Sequence, residues 1–192
     1  AEPLNELLGF DEILKDFSES ALKPYMYRGK CYALPVTETF LMSFYRTDIF
    51  NKMGLEPPKT WTELYALAET LQRNNMNIGI PTDLFYTLLY QMGGTVYNDA
   101  LTATALDSPI AYNAFKMWCE FYTQYGLPLF KNDYNRFRMG EQPLVIADYS
   151  FFNQLTATAP EIRNMWRMTE IPGTEDKDGN INTVSAATGT AC

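Results

Sequence analysis

Histidine is absent from the 192-residue chain, and this absence excludes much enzyme chemistry. Without an imidazole, the chain cannot build a Ser-His-Asp or Cys-His nucleophile, a histidine general base or a histidine-ligated zinc site. Basic residues are also few, because 15 Lys and Arg stand against 23 Asp and Glu and leave a net charge of -8. The electrostatic field of such a negatively charged protein repels nucleic acid and anionic lipid. We therefore expect no nucleic-acid partner, and a neutral or cationic small ligand is favoured.

Cysteine and long apolar runs are scarce as well. Cys31, Cys119 and Cys192 are odd in number and lack CxxC spacing, so they indicate neither a disulfide framework nor a zinc knuckle. No run of 18 apolar residues is present to span a membrane. The chain stops directly after the apolar, small-residue run 184–191, and we expect it to be a piece of a longer protein.

Aromatic residues, by contrast, are plentiful. They make up 15% of the chain within a hydrophobic fraction of 46%, which is more than a core of this size needs. Some of these rings should therefore line a binding surface. No glycine-rich phosphate loop is present, because Gly93 and Gly94 follow a predicted helix where such a loop would precede one. We expect no cofactor and no metal.

The order of local signals predicts alternating strands and helices. Two strand-forming runs, 30–35 and 40–45, precede a helix that begins after Thr60 in the capping box Thr-Trp-Thr-Glu. A short buried strand at 78–81 then leads into a helix that stops at Gly93. This alternation is typical of an α/β fold.

The longest predicted helix begins at Ser108, an N-cap followed by proline, and ends at Gly126. Its apolar residues recur at helical spacing and predict a wide stripe facing the core: Ala111, Ala114, Phe115, Trp118, Phe121, Tyr122 and Tyr125. After it, the continuous apolar run 143–147 predicts a central strand covered on both faces. A helix over 150–159 and a strand over 165–171 complete the pattern.

Asp148 and Tyr149 follow the predicted central strand directly. In open α/β sheets the ligand crevice lies outside the carboxyl ends of the strands, so these two residues are the first site candidates. The run 176–180 offers oxygens at alternate positions, as a calcium loop does. It lacks the Gly and Glu of such a loop where Ile181 and Ala187 stand, which favours a solvated turn.

Carboxylates leave an enzymatic alternative open. Asp83, Asp133 and Asp148 could form a glycosidase pair, because two carboxyl groups at the right separation suffice for that chemistry without histidine. Each of them is also a common N-cap, turn residue or hydrogen-bond acceptor. A carbohydrate-active enzyme and a peptide-binding interaction module therefore both stay open as alternatives to a small-molecule binding protein.

Several runs occur together in one order along the chain: 27–35, 44–50, 54–64, 90–94, 105–109, 139–141 and 171–173. In this order they resemble the extracellular solute-binding proteins of ABC importers, family 1, the sugar-binding group similar to maltose-binding protein. The resemblance covers most of residues 27–173. It implies an α/β, periplasmic-binding-protein-like (type II) fold with two lobes, built in three layers around a mixed sheet. This chain would supply mostly the second lobe, as a central fragment.

The resemblance also implies a division of the chain and a function. Residues 1–42 would be the end of the first lobe and a hinge crossing, 43–173 the second lobe, and 174–192 the return hinge towards the first lobe. The protein would bind a saccharide or oligosaccharide in the cleft between its lobes and deliver it to the permease subunits of an ABC importer, without catalysis. It would act outside the cell, as a surface lipoprotein or in the periplasm. Its membrane contact would come only from a lipid anchor or N-terminal segment that this chain does not include.

The ligand-binding residues that the resemblance implies fall in three places of the second lobe and in the first hinge crossing: Asp83, Phe85, Tyr86, Tyr134, Asp148, Tyr149, Phe152, Glu38 and Thr39. Many sugar binders place Trp in the loop after Asp148, where this chain has Tyr149, Phe151 and Phe152. The ring on which a sugar packs therefore stays open. The identity of the sugar stays open too, as does a peptide or polyol ligand.

Overall fold

The computed structural model describes residues 2–129, 132–186 and 188–191. The chain divides into two compact units, one formed by Ala1–Phe40 with Ala187–Cys192 and the other by Leu41–Ala186. The lobe boundaries implied for a longer protein, after residues 42 and 173, stay a prediction.

The helices of the described part are α1 (Phe10–Leu14), α2 (Glu19–Leu22), α3 (Thr47–Met53), α4 (Trp61–Gln72), α5 (Phe85–Gln91), α6 (Pro109–Thr123), α7 (Asp133–Met139) and α8 (Ser150–Thr158). Short 3-10 turns occupy Leu4–Glu6, Lys23–Tyr25 and Pro160–Ile162. The strands are β1 (Met26–Tyr27), β2 (Lys30–Cys31), β3 (Pro35–Thr39), β4 (Leu41–Arg46), β5 (Ile78–Gly79), β6 (Leu144–Asp148), β7 (Trp166–Thr169), β8 (Thr174–Glu175), β9 (Ile181–Asn182) and β10 (Thr188–Ala191).

The smaller unit contains two pairs of antiparallel strands. β1 and β2 form a hairpin, and β3 pairs with β10 so that Thr39 lies opposite Thr188. The prediction of one strand over 30–35 is wrong, because β2 ends at Cys31 and β3 begins only at Pro35. The chain turns between β1 and β2 through Arg28 and Gly29, both at positive φ, which ties the first strand into a local hairpin.

The larger unit is built around a four-stranded mixed sheet in the order β5-β6-β4-β7. β6 pairs in parallel with β5 and antiparallel with β4, and β4 pairs antiparallel with β7. Val145 lies opposite both Gly79 and Phe44. The prediction of a central strand after residue 143 is therefore confirmed.

Helices cover both faces of this sheet. Leu144 and Ile146 point into one hydrophobic cluster with residues of α4, α5 and α6. Val145 points the other way, into a second cluster with Phe137 of α7 and Phe151 of α8. Alternate residues of β6 thus enter opposite cores, as expected for a strand buried on both faces. The three-layer α/β arrangement is confirmed.

The predicted helix starts are also confirmed. The Thr60 side chain accepts a hydrogen bond from the backbone N–H of Glu63, and Ser108 does the same for Ala111, each at 3.2 Å. The core stripe predicted for α6 is only partly correct. Ala111, Ala114 and Phe121 are buried, but Phe115 is 50% exposed and Trp118 is only half-buried. Phe115 faces a groove in which no element of the described part covers it.

The sheet has two edges at which its strands begin or end, and these two edges differ. We call them the amino edge and the carboxyl edge, after the ends of β5 and β6 that lie there. At the amino edge, where β5 and β6 begin, the buried Arg46 binds both carboxylate oxygens of Asp48, at 2.7 and 2.8 Å. Its Nη1 also donates to the backbone carbonyls of Phe137 and Arg138, at 3.0 and 2.9 Å, and so satisfies the carboxyl end of α7. The hydrogen bond from Arg46 lowers the pKa of the Asp48 carboxyl, and its positive charge acts in the same direction.

At the carboxyl edge, where β5 and β6 end, lie both ends of the larger unit. Leu41 is paired with Asp148, and its backbone N–H donates to Ser185 Oγ at 2.9 Å. The backbone N–H of Ala186 donates to Thr87 Oγ1 of α5 at 3.1 Å. The chain therefore enters and leaves this unit at the same edge of the sheet.

Candidate functional site

The carboxyl edge brings together residues that are far apart in the sequence. β5 and β6 are parallel, so the segments that follow them emerge at the same edge. Thr82 and Asp83 follow β5, while Asp148 and Tyr149 follow β6. This is the arrangement that the strand order predicts for a ligand crevice. The binding role of these residues stays a prediction.

Aromatic rings stack directly after β6. Asp148 is exposed, and its Oδ1 accepts a hydrogen bond from the backbone N–H of Ser150 at 2.8 Å, which fixes the carboxylate at the start of α8. The half-buried Tyr149 stacks on Phe152 with ring centroids 5.6 Å apart and planes 9° from parallel. Phe152 meets Trp166 of β7 edge to face at 5.7 Å.

Asp83, Phe85 and Tyr86 lie along a groove between α5 and α6, which we call the α5–α6 groove. Its other wall is formed by Tyr112, Phe115 and Trp118 of α6. The groove has a volume of about 690 Å³, within the range typical of small-molecule sites. Three of the nine predicted site residues therefore share one concave surface with rings that the sequence had assigned to the core or had left out.

Trp118 fixes the loop that carries Asp83. Its indole Nε1 donates to the backbone carbonyl of Thr82 at 3.1 Å, and its ring packs near those of Phe85 and Phe115. Burial raises the pKa of the neighbouring Tyr122 hydroxyl, and the negative charge of Asp83 raises it further. In the described part of the chain Asp83 itself has no hydrogen-bond or ion-pair partner, so its carboxylate is free to accept hydrogen bonds from a ligand.

Tyr134 lies apart from Asp148. Its hydroxyl hydrogen-bonds to Thr158 Oγ1 at 2.5 Å, near the end of α8, whereas Asp148 precedes the first residue of that helix. The Arg138 guanidinium lies 5.2 Å above the Tyr134 ring. The structure therefore does not bring the Tyr134 hydroxyl together with Asp148, because the ring lies along α8 and its polar end reaches the far end of the helix.

Asp133, the neighbour of Tyr134, does reach the carboxyl edge. A Cβ placed on Gly79, the last residue of β5, would come within 2.9 Å of Asp133 Oδ1. The glycine thus leaves room for this carboxylate at the end of the strand. The resemblance implies the neighbouring Tyr134 as the ligand contact, and that role stays a prediction.

Glu38 and Thr39 belong to the smaller unit. Both lie on β3, where Glu38 is exposed opposite Gly189 and Thr39 is half-buried opposite Thr188. They are described only within that unit.

Tyr112 and Phe115 are the groove residues that sequence reasoning missed as ligand contacts. Tyr112 follows the buried Ala111 and falls outside the apolar stripe, so its exposure could have been read from its position on the helix. Phe115 lies within the stripe, and no pattern in the sequence separates it from its buried neighbours. Only the packing of α5 against α6 shows that its ring stays open.

In the turn at 176–180, both carboxylate oxygens of Asp176 accept hydrogen bonds from the turn itself. Asp176 Oδ1 accepts from the backbone N–H groups of Asp178 and Asn180, each at 2.9 Å, and its Oδ2 accepts from Asn180 Nδ2. The Asn180 hydrogen bonds lower the pKa of the Asp176 carboxyl. This favours the solvated turn, which joins β8 to β9. Neither this turn nor any other part of the described residues contains a group of three or more His, Cys, Asp or Glu that could hold a metal ion.

The α/β fold around a mixed sheet is the type II periplasmic-binding-protein fold, and solved structures with this fold match nearly the whole chain. A maltose-bound MalE3 of Thermotoga maritima matches 99% of this chain and 51% of its own length, with a TM-score of 0.75 at 19% identity. A solute-binding protein of Thermotoga lettingae bound with alpha-D-tagatose matches 99% of this chain over 52% of its own length, with a TM-score of 0.71 at 23% identity.

The family is shown by a match to the sequence itself. The family model for bacterial extracellular solute-binding proteins matches residues 1–136, and the chain belongs to this family. A relative from Brucella abortus, whose name describes it only as a binding protein, is 29% identical over 85% of this chain. The chain spans 43% of that relative's length, less than half of it. The family and the matched structures are binding proteins, and the family is extracellular.

One further observation concerns the membrane. Within the described ranges, the structure contains no helix that is both long and apolar enough to cross a lipid bilayer.

Proposed function

We propose that the chain is part of the solute-binding subunit of an ABC importer, and that its carboxyl edge forms one wall of a saccharide-binding site. The observation that carries this proposal is the meeting of exposed carboxylates with partly exposed, stacked aromatic rings at one edge of the sheet. Asp83 and Asp148 provide carboxylates there, and Tyr149 and Phe152 provide stacked rings.

A saccharide needs both kinds of group. Its CH faces pack on aromatic rings, and its hydroxyls need hydrogen-bond acceptors and donors once they leave water. Asp148 is held in place by Ser150, so its second oxygen points from a fixed position. A carboxylate fixed in this way loses little conformational entropy when it binds a sugar hydroxyl.

The relatives support a sugar or polyol ligand. Matched structures with the same fold are bound with maltose, alpha-D-tagatose and ribitol. Within this proposal the nine residues given under Sequence analysis stay candidate contacts, and Tyr134 is the weakest of them because its hydroxyl is already bonded to Thr158.

The remaining parts of the proposal concern the whole protein. Residues 43–173 would belong to its second lobe, and the segments on either side would be the crossings towards the first lobe. The ligand would be enclosed between lobes and passed to permease subunits outside the cytoplasm, and a lipid anchor or N-terminal segment beyond this chain would hold the protein at the membrane. Closure would be favoured only by contacts that the closed state alone makes.

The test is a saccharide titration of the 192-residue chain, followed by NMR of the ¹⁵N-labelled protein and by assay of reducing ends. We expect shifts at Asp83, Asp148 and Tyr149, with the sugar recovered unchanged. Asp148→Asn should raise the Kd roughly tenfold, since it removes a charge-assisted hydrogen bond. The control is Asp178→Asn in the exposed β8–β9 turn, which should leave the Kd unchanged.

Two results would contradict the proposal. The first is the absence of sugar-dependent shifts at the carboxyl edge. The second is the release of new reducing ends, which would favour the carbohydrate-active enzyme using paired carboxylates.

A further inference from the structure

We infer that the α5–α6 groove binds additional sugar residues, so that the ligand is a neutral oligosaccharide and not a single sugar ring. This inference rests on the proposed function, because it extends the same saccharide site beyond the carboxyl edge. The matched structures do not decide the point, since one is bound with the single sugar tagatose and another is in complex with the oligosaccharide cycloalternan.

The first argument is the exposed aromatic surface of the groove. Tyr112 is 67% exposed, Phe115 50% and Tyr86 47%, although each sits on a helix that buries other residues of its own in the core. Two of these rings are held by neighbouring aromatic side chains. Phe85 contacts Tyr86 and Phe115, and Trp118 contacts Phe115, at ring-centroid distances of 5.4 to 6.2 Å. Rings fixed in this way offer flat faces for the CH surface of a sugar at little entropic cost.

The second argument is the set of free hydrogen-bonding groups around these rings. Asp83 and Asp107 both line the groove, and neither carboxylate has a hydrogen-bond or ion-pair partner in the described part of the chain. The hydroxyls of Tyr86 and Tyr112 likewise make no hydrogen bond to the described residues. Carboxylates accept from sugar hydroxyls, and tyrosine hydroxyls both donate and accept. The groove therefore supplies both partners that a row of hydroxyls requires.

The third argument is charge. Among the described residues that line the groove, none is Lys or Arg. A phosphorylated or carboxylated ligand would meet Asp83 and Asp107 with no cation to offset the repulsion. The groove is therefore suited to a neutral saccharide and not to an anionic one.

The fourth argument is continuity and length. Asp83 follows β5 at the carboxyl edge and also lines the groove, so the groove begins at that edge. The groove residues of α6 run from Ser108 to Trp118, which corresponds to about 15 Å along the helix axis. This length exceeds one pyranose ring and fits a chain of sugars.

The experiment compares ligands of increasing length on the 192-residue chain. Linear oligosaccharides of one to six residues, from the α-glucan, β-glucan, β-mannan and β-xylan series, are titrated by NMR, and choline serves as a cationic probe. We expect affinity to rise with length for one series. Phe115→Ala should raise the Kd of its longer members about five- to tenfold, and leave the Kd of its shortest bound member unchanged.

Two further variants complete the design. Tyr112→Ala, at the most exposed ring of the groove, should act like Phe115→Ala, and circular dichroism checks that both variants fold. The matched control is Tyr97→Ala, which removes an exposed ring that does not line the groove, and it should change no Kd.

The possible failures are distinguishable. One failure is binding of sugars at Asp148 and Tyr149 with an affinity that does not depend on the number of sugar residues, or that Phe115→Ala and Tyr112→Ala do not change. Either result would overturn the inference and leave the proposed function standing. Choline binding in the groove in place of sugars would overturn the inference in favour of a cationic ligand. The absence of binding by every saccharide would overturn both proposals.

Discussion

The two edges of the central sheet treat their polar side chains in opposite ways. At the amino edge, Arg46 is 7% exposed and uses its guanidinium in four hydrogen bonds, two to Asp48 and two to backbone carbonyls of α7. At the carboxyl edge, Asp83 is exposed and has no partner in the described residues. The same sheet therefore carries a charged group that the fold uses fully at one edge, Arg46, and one that remains available at the other, Asp83.

This difference separates stability from binding. A buried group with all its partners inside the protein contributes to folding, because removing it leaves those partners unsatisfied. An exposed group without a partner contributes little to folding and retains its full capacity for a ligand. We therefore expect substitutions at the amino edge to change the free energy of unfolding, and substitutions at the carboxyl edge to change ligand affinity.

The largest effect is expected for Arg46→Ala. It leaves the carbonyls of Phe137 and Arg138 without their donor, and we expect a loss of roughly 2–4 kcal/mol in unfolding free energy. Thermal unfolding should show a melting temperature lower by roughly 5–15 °C. Arg73→Ala, which breaks an exposed pair with Glu69, is the control and should cost less than about 0.5 kcal/mol. Equal melting temperatures for the two variants would remove the contrast between the edges.

The next effect concerns Tyr149→Ala at the carboxyl edge. Loss of an aromatic contact with the sugar should weaken binding by about 1–3 kcal/mol, measured by calorimetry or NMR titration with a saccharide that binds the chain. The melting temperature should change much less than for Arg46→Ala, since Tyr149 is only half-buried. An unchanged affinity with an unchanged melting temperature would remove Tyr149 from the site.

A smaller effect is expected away from both edges, at the cap of α4. Thr60→Ala removes the acceptor for the Glu63 N–H and should lower the unfolding free energy by about 1 kcal/mol, without changing ligand affinity. Urea unfolding measures the first quantity, and titration of the folded variant measures the second. A large loss of affinity at normal stability would mean that α4 takes part in binding.

The smallest effect is the pH dependence of the amino edge. Hydrogen bonding and charge from Arg46 lower the pKa of Asp48 from its usual 3.8, so the stabilisation is present above that value and is lost as the pH falls through the lower, folded-state pKa. Because the Asp48 side chain is 39% exposed, Asp48→Asn should cost less than about 1 kcal/mol at neutral pH. The difference from the unsubstituted chain should shrink in urea unfolding below about pH 4. A difference that stays constant down to pH 2 would contradict this.

Local features of the fold could be predicted from the sequence. The caps at Thr60 and Ser108 and the apolar run of β6 depend on neighbouring residues, and the structure confirms them. The edge of the sheet at which Asp148 emerges followed from the position of β6. By contrast, the run 30–35, which local propensity assigned to one strand, is divided, because β2 ends at Cys31 after pairing with β1 and β3 begins only at Pro35.

Features that depend on distant packing could not be predicted. Arg46 gives no sign in the sequence that its guanidinium meets carbonyls of Phe137 and Arg138, which follow it by about ninety residues. Phe115 has the spacing of a core residue, and only the position of α5 leaves its ring exposed. The hydrogen bond between the Tyr134 hydroxyl and Thr158 likewise joins α7 to α8 across 24 residues and has no local signal in the sequence.

The pairing of β3 with β10 has a consequence for the order of folding. Thr39 and Thr188 are partners in this ladder, yet roughly 150 residues separate them, and closing such a loop in an unfolded chain is slow. During synthesis β3 emerges long before β10 and stays unpaired until β10 has been made. When the larger unit folds, its two ends come together, as the hydrogen bond between Leu41 and Ser185 shows. This shortens the loop that has to close before β3 can pair with β10. The ladder should therefore form last, so that a defect in the larger unit also leaves β3 an unpaired edge open to association with other chains.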